Sequence, residues 1–563
     1  MKKHLSNRFF HMNLVWLTIN CSFSHSSLAL PILQQASAHL AGIHWHAVDA
    51  LTQDSPFDIA LQVLECSPDV VAAPMYIFNR TTLLSALSRI KVLKPETVVV
   101  VGGPECLGEG AEELLAGSNF VDYVCSGEGE EIMPQLLEEL LAGGDLPKKR
   151  LRVAEHPVSM CAPPCPTASP FFRTDKPFVQ YETSRGCPFG CQYCTSAGSG
   201  VRYKNLKTVA EELDVLRVRG VREIRLIDRT FNTPEARGVE LLRLFRLSFP
   251  EVRFHLEIHP QFLPQGIRDE LRKANRGQLH IEAGIQSLHN EVLEAVGRLP
   301  NAERALEGLC FLVSLHPLFD THCDLLAGLP RQTYQGLVED LKRLVEVHPA
   351  EIQLEVLKIL PGTILRRRAD ELGIRFSRET PYDVMQTPDM SMHDIAAARR
   401  LSRMVDLFYN HPALTRTFVA ANEDHPTFID ELLNHLTLRT DMLKSQTPSL
   451  DSRMKMLHGF FANDETGYDN AHFELDQAWL RLANTPGKQG VPAESAVLID
   501  VLPEGAVAVA GDAAKALAAK GTRLWMIQHG AEAAIFAYNR GISPNHAAAE
   551  WRWERDSRAS RSF

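Results

Sequence analysis

Short apolar runs separated by amphipathic stretches set the rhythm of the first 145 residues. NLVWLTI (13–19), HWHAVDA (44–50), DVVAAPMYIF (69–78), TVVVVGG (97–103) and DYVCSG (122–127) read as strands, and 80–92 and 128–142 as helices. Apolar strands without polar alternation are what a parallel sheet covered on both faces requires. Five βα repeats of this kind predict an α/β, Rossmann-like (flavodoxin-like) domain over 12–145. In such domains ligands sit beyond the carboxyl ends of the strands. Those ends carry the glycines here, in GGPE (102–105) and GEGEE (127–131).

Residues 146–176, with EHPVSMCAPPCPTASP, break the rhythm and read as a linker. The Cys161/Cys165 pair inside it has no third ligand at a useful spacing and reads as incidental. A second series follows: FVQYETS (178–184), EIRLIDR (223–229), VRFHLEI (252–258), LHIEAGI (279–285), HCDLLAG (322–328) and IQLEVLKIL (352–360). Helical patterns at 207–219, 235–248, 303–315 and 334–347 separate them. Six parallel strands with intervening helices predict a partial (β/α)6 barrel over 177–375, short of the eight that close. Beyond it, 376–550 reads as a mostly helical C-terminal extension. It contains a mixed segment at HFELDQAWLRLA and a small βα element at AVLIDVLPEGAVAVAG and TRLWMIQHG; 551–563 reads as a disordered tail.

With 563 residues, 45% hydrophobic and 23% charged, the chain has the composition of a multidomain globular protein. A formal charge of −10 leaves no footprint for a large polyanion, so nucleic acid is not an expected partner. Lys2, Lys3 and Arg8 ahead of an apolar stretch resemble a secretory n-region, but Asn20, Ser22, Ser24 and His25 interrupt the run and a strand fits it better. No run approaches the roughly 18 apolar residues of a spanning helix. The clustering of the eleven cysteines points to metal or redox chemistry in a reducing compartment, hence the cytoplasm.

The cluster of interest is SRGCPFGCQYCT (184–195), where Cys187, Cys191 and Cys194 follow the first barrel strand. Structural zinc takes four ligands and typically pairs two cysteines with a distant second pair. Iron–sulfur clusters are also usually held by four cysteines. Three on one tight loop leave a coordination position open. Cys-x3-Cys-x2-Cys with Tyr193 before the third cysteine resembles the radical S-adenosylmethionine (SAM) superfamily. The resemblance implies a [4Fe–4S] cluster on Cys187, Cys191 and Cys194, with SAM chelating the remaining iron, and Tyr193 beside the adenine. It also points to strand ends as SAM contacts: Asp228 and Asn232 after the second strand, Glu282 and Gln286 at the fourth.

A Rossmann-like domain ahead of such a barrel resembles the cobalamin-dependent subgroup. INCSFSHSSLALP (19–31), GGPE and SGEGEE are similar to loops that lie over the corrin, which makes Ser24, His25, Ser26, Gly102, Gly103, Pro104, Glu105, Gly127 and Glu128 candidate cobalamin contacts. The D-x-H-x-x-G sequence that supplies a histidine below cobalt elsewhere is absent; Asp320-Thr321-His322 lacks its glycine. Including the C-terminal extension, the chain resembles a bacterial group of cobalamin-domain radical SAM proteins whose last domain has no assigned function. The resemblance implies methylation of an unactivated carbon or phosphorus of a small-molecule or peptide substrate, with flavodoxin or ferredoxin as electron donor. Two alternatives stay open: radical cyclisation or rearrangement with cobalamin as electron partner, and a non-catalytic cobalamin and cluster sensor or accessory protein.

Overall fold

The computed structural model describes residues 11–143, 150–411, 414–437, 447–461, 496–511, 513–529, 532–538 and 549–554. They fall into two units, one of the described residues up to 320 with 326–333 and 356–395, the other of 321–325 with 334–355 and the described residues from 396 onward. No helix among the described residues is long and apolar enough to cross a membrane.

The first unit opens with a parallel sheet of β1 (Met12–Asn20), β2 (Ile43–Leu51), β3 (Val70–Pro74), β4 (Val98–Gly102), β5 (Tyr123–Ser126) and β6 (Arg150–Val153), in the order β2-β1-β3-β4-β5-β6. The stretch that resembles a secretory signal is the start of this sheet's β1. Its alternate residues enter two different cores. Leu14 and Trp16 pack with Leu30 and Met133, under helices α1 (Ala29–Ala36) and α5 (Gly129–Leu141). Val15, Leu17 and Ile19 pack with Ile59, Leu87 and Leu114, under α2 (Pro56–Glu65), α3 (Arg80–Leu93) and α4 (Glu109–Gly117). Burial on both faces is why these strands lack polar alternation.

Two details differ from the expectation. DVVAAPMYIF forms a strand only to Pro74, after which the chain turns into α3. Arg150–Val153, read as linker, is the sixth strand. It sits at the sheet edge with alternating partial exposure, so RLRV carries no continuous apolar signal.

The strand order reverses direction between β1 and β3, which is where doubly wound sheets open a ligand crevice. Fully buried Asn79 holds that crevice together. Its side chain donates to the carbonyls of Ile19 and Pro74, both at 3.1 Å, and accepts from Tyr76 N at 2.8 Å.

The second sheet contains Val179–Tyr181, Glu223–Leu226, Arg253–Ile258, Leu279–Gln286, Asp320–Ala327 and Glu351–Val356, in chain order across the sheet. This is the predicted six-stranded arrangement, with helices at 206–218, 235–248, 302–313 and 334–347. Its strands alternate: Phe254, Leu256 and Ile258 are buried, whereas Arg253 is exposed and His255 and Glu257 are partly open.

In the second unit, Tyr409 is fully buried and donates to Pro349 O at 2.5 Å, and its ring meets Phe418, which meets Phe428. Helices Thr415–Asp424, Phe428–Thr437 and Leu450–Phe461 agree with the helical reading. HFELDQAWLRLA lies outside the described residues. The expected βα element is instead an antiparallel five-stranded sheet with one short helix, Ala513–Ala518. Its last strand, Ala549–Glu554, takes in the start of the segment read as a tail; 555–563 lie outside the described residues. Pairing between strands distant in sequence leaves no local mark that distinguishes the two arrangements.

Replacing Asn79 with Ala leaves three backbone groups without their partner, an expected loss of about 2–3 kcal/mol. A thermal melt checks it: the midpoint falls by several degrees, and an unchanged midpoint contradicts the clamp.

Candidate functional site

The loop carrying the three cysteines is rooted in buried charge. Asp228, at the end of the second barrel strand, accepts from Thr183 N and Ser184 Oγ, both at 2.7 Å, and from Thr183 Oγ1. Burial pushes its carboxyl up, while the Thr183 and Ser184 bonds oppose that rise. Behind the loop, Lys204 donates to Glu212 at 2.7 Å and Tyr181 OH donates to the same oxygen at 2.5 Å, all three side chains buried.

From this root Ser184–Arg185 pairs antiparallel with Arg202–Tyr203, and the loop closes on itself. Gly186 (φ +99°) faces Gly200, whose carbonyl would lie 1.9 Å from any added Cβ. Only glycine passes there. Cys194 N then donates to Cys191 O, Gly198 N to Phe189 O, and Gln192 N to Val296 O. Phe189 packs on His259 and Phe262.

All eleven cysteines are free. Cys191 is buried, and Cys187 and Cys194 are half-buried. Cys191 Sγ accepts from Arg298 Nη1 at 3.7 Å, Cys194 Sγ from Ser196 N at 3.4 Å, and Cys187 Sγ lies 3.6 Å from Thr230 Oγ1. Burial pushes the Cys194 thiol up, Cys187 and Cys191 add to that, and the Ser196 N–H bond and the Arg229 charge act the other way. Burial likewise raises the Tyr193 phenol, against the Arg298 charge. Among the described residues no three His, Cys, Asp or Glu side chains stand in geometry to hold a metal ion. The thiols are gathered on one loop but not posed as a finished site. The donor chemistry fits an iron–sulfur cluster all the same: three free thiols in electrostatic reach of one another, with N–H donors aimed at sulfur. Cys161 is exposed and Cys165 contacts Thr167, as an incidental pair would.

The strand-end candidates divide. Asn232 bridges His259 N, His259 O and Phe262 O, so its amide, like the Asp228 carboxylate, is engaged inside the protein. Glu282 meets His255 Nε2 at 3.0 Å, and Gln286 closes its strand at φ +70°. Register places Gln180, Arg225, His255 and His280 in one row, and Glu257 beside Glu282 in the next.

A cavity of about 220 Å³ lies in the first domain between the sheet and α1 and α5. Trp16, Leu33, Ala72 and Met133 make it largely apolar, Gly102 and Gly103 line it at the end of β4, and Glu130 and Arg185 add polar groups. Gly103 has φ +99°, and a Cβ there would sit 2.8 Å from Met75 O. Ser24 and His25 share Ser22 Oγ, at 2.8 and 2.7 Å, in the loop after β1, which also holds half-buried Ser26. His25 turns its ring edge to Phe178, and burial with the Arg225 charge lowers its pKa. Pro104 and Gly127 are exposed.

Two acidic candidates have partners within the protein. Glu105 is buried against Tyr382 OH at 2.6 Å and Arg80 at 3.4 Å. Glu128 binds Arg202 and accepts from Val158 N at 2.6 Å. Both carboxylates bind protein groups, because the fold brings each a partner from far along the chain, Tyr382 to Glu105 and Arg202 to Glu128. Arg185 and Arg298 were not singled out from the sequence for the same reason.

Comparison with known proteins supplies the context. Residues 181–344 match the Radical SAM superfamily, and 370–474 match a protein family of unknown function, DUF4080. The uncharacterized methyltransferase PH0819 of Pyrococcus horikoshii is 23% identical over 342 residues, 56% of this chain and 73% of that protein. The cobalamin-dependent radical SAM methyltransferase TokK of Streptomyces tokunonensis is 23% identical over 379 residues, 59% of this chain, and the match spans about half (54%) of TokK's own length. The solved structure of the radical SAM methyltransferase TsrM from Kitasatospora setae, with cobalamin and a [4Fe–4S] cluster bound, aligns with TM-score 0.51 at 16% identity. It covers 66% of this chain and 78% of that one, a likeness of fold. The glycine-closed loop with its three free thiols after the first barrel strand lies inside residues 181–344, the segment that matches the Radical SAM superfamily.

Proposed function

We propose that the protein is a cobalamin-dependent radical SAM methyltransferase acting on an unactivated carbon or phosphorus of a polar small molecule or peptide, supplied with electrons by a flavodoxin or ferredoxin in the cytoplasm. The observation that carries this is the cysteine loop: Cys187, Cys191 and Cys194, free and donor-assisted, at the carboxyl end of a barrel strand. A cluster held there supplies one-electron chemistry to SAM. The protein's own residues supply geometry. Asp228 and Gly186 hold the loop in place, and Arg298 places a positive charge beside Cys191. Tyr193, on the same loop, would pack against the adenine of bound SAM.

The cavity under α1 and α5 suits a flat heteroaromatic group with a polar edge, which is the character of the nucleotide tail of cobalamin. Gly102 and Gly103 let the backbone come close there. Ser24, Ser26 and the loop at 126–128 offer hydroxyl and backbone donors for amide side chains. Closed barrels fill their interior with branched apolar side chains. Here Gln180, Arg225, His255, Glu257 and Glu282 take those positions, which suits a polar substrate.

Three outcomes are expected. Cys191→Ala, assembled anaerobically with iron and sulfide, retains at most about a tenth of wild-type iron, because two thiolates do not hold a cluster; full retention contradicts the ligand set. Gly103→Val weakens hydroxocobalamin binding about tenfold, since a branched residue at that positive φ costs about 1–3 kcal/mol; unchanged corrinoid content in absorption spectra returns the loop to a plain turn. Reduced, loaded protein supplied with SAM and substrate extracts forms S-adenosylhomocysteine together with 5′-deoxyadenosine. The deoxynucleoside alone favours the rearrangement reading, and no SAM cleavage at all favours a sensor.

A further inference from the structure

Arg185 belongs at once to the first-domain cavity and to the cysteine loop. Arg185 and Glu130 both line the cavity. Nε and Nη2 form a fork on Glu182 at 2.9 and 2.8 Å, Nη1 donates to Glu130 at 2.7 Å, and Glu128 stands 3.5 Å away. Its backbone is held in the ribbon with Arg202, Gly186 follows where a side chain would collide with Gly200, and Cys187 comes next. The second strand of the ribbon repeats the contact, Arg202 binding Glu128 and the Val158 carbonyl.

Gly127, Gly129, Glu130 and Met133, from the start of α5 and the turn before it, line the cavity as well. The same short segment therefore forms cavity wall and carries the carboxylates that grip the ribbon. Planar guanidinium forks resist rotation, and a half-buried charge that loses its partner is costly, so a displacement on either side is passed to the other.

We propose that Arg185 is a positioning residue that couples cavity occupancy to the geometry of the cysteine loop, so that a corrinoid and the iron–sulfur cluster bind cooperatively. This rests on the proposed function for the identity of both groups, and adds that neither is bound independently of the other.

The test is a binding cycle on the full chain under anaerobic conditions. The Kd for hydroxocobalamin is read by absorption with and without cluster assembly, and iron retention against a chelator with and without hydroxocobalamin. Cluster assembly is expected to tighten hydroxocobalamin binding at least about fivefold, with the same factor in reverse because coupling is reciprocal. In Arg185→Lys, which keeps the charge but not the fork, the factor falls toward one whatever happens to the separate affinities. Glu130→Gln, which leaves the Glu182 fork intact, carries the same test if the lysine variant melts early. A factor of one in the wild type, or an unchanged factor in both variants, overturns the coupling while leaving the function standing. A wild-type protein that binds no hydroxocobalamin or assembles no cluster overturns the function and the coupling together.

Discussion

The cysteine loop depends on a buried carboxylate. Asp228 takes three hydrogen bonds from the two residues at the loop's root, and the ribbon and the Gly186 contact build outward from there. A carboxyl group in that position is costly to desolvate and is tolerated because its oxygens are satisfied. Lys204, Glu212 and Tyr181 repeat the device on the next layer. Buried pairs of this kind contribute little net stability; we read them as selecting one geometry for the chain that carries the thiols.

Charge is distributed by role. Asp228, Asn232, Glu105 and Glu128 are engaged with backbone groups or side chains of the protein itself, and so set positions. The thiols have softer neighbours: a guanidinium 3.7 Å from Cys191, a backbone N–H on Cys194, a threonine hydroxyl near Cys187. Such donors stabilise negative charge on sulfur without competing for the metal. On the barrel's polar face, the row through Arg225, His255 and His280 replaces the apolar layers that pack a closed barrel. An open six-stranded sheet tolerates this because its apolar residues are buried on the opposite face, as Phe254, Leu256 and Ile258 are.

The first domain shows how one sheet serves two purposes. Its two cores are both apolar and continuous, yet the side under α1 and α5 leaves about 220 Å³ unfilled beside the switch point. Small residues on the strands, Ala72 and Gly102 among them, leave that space, while the opposite face is filled by Val71 and Val99. Asn79 ties the strand ends together at the same point, with every polar atom of its amide used.

Local pattern was enough to read eleven strands of two parallel sheets, the helices at 80–92 and 128–142, and the cysteine loop, because strand periodicity and ligand spacing are short-range properties. It did not reveal the edge strand Arg150–Val153, which is defined by its pairing with β5, or the antiparallel sheet at the end of the chain, where Val507 pairs with Arg552 across intervening strands. The same limit applies to the site. Cysteine spacing names a chemistry by itself, but whether a glutamate faces a cofactor or an arginine depends on what the fold brings to within a few ångströms. Glu128 meets Arg202 across 74 positions and Glu105 meets Tyr382 across 277, and only tertiary packing makes those encounters.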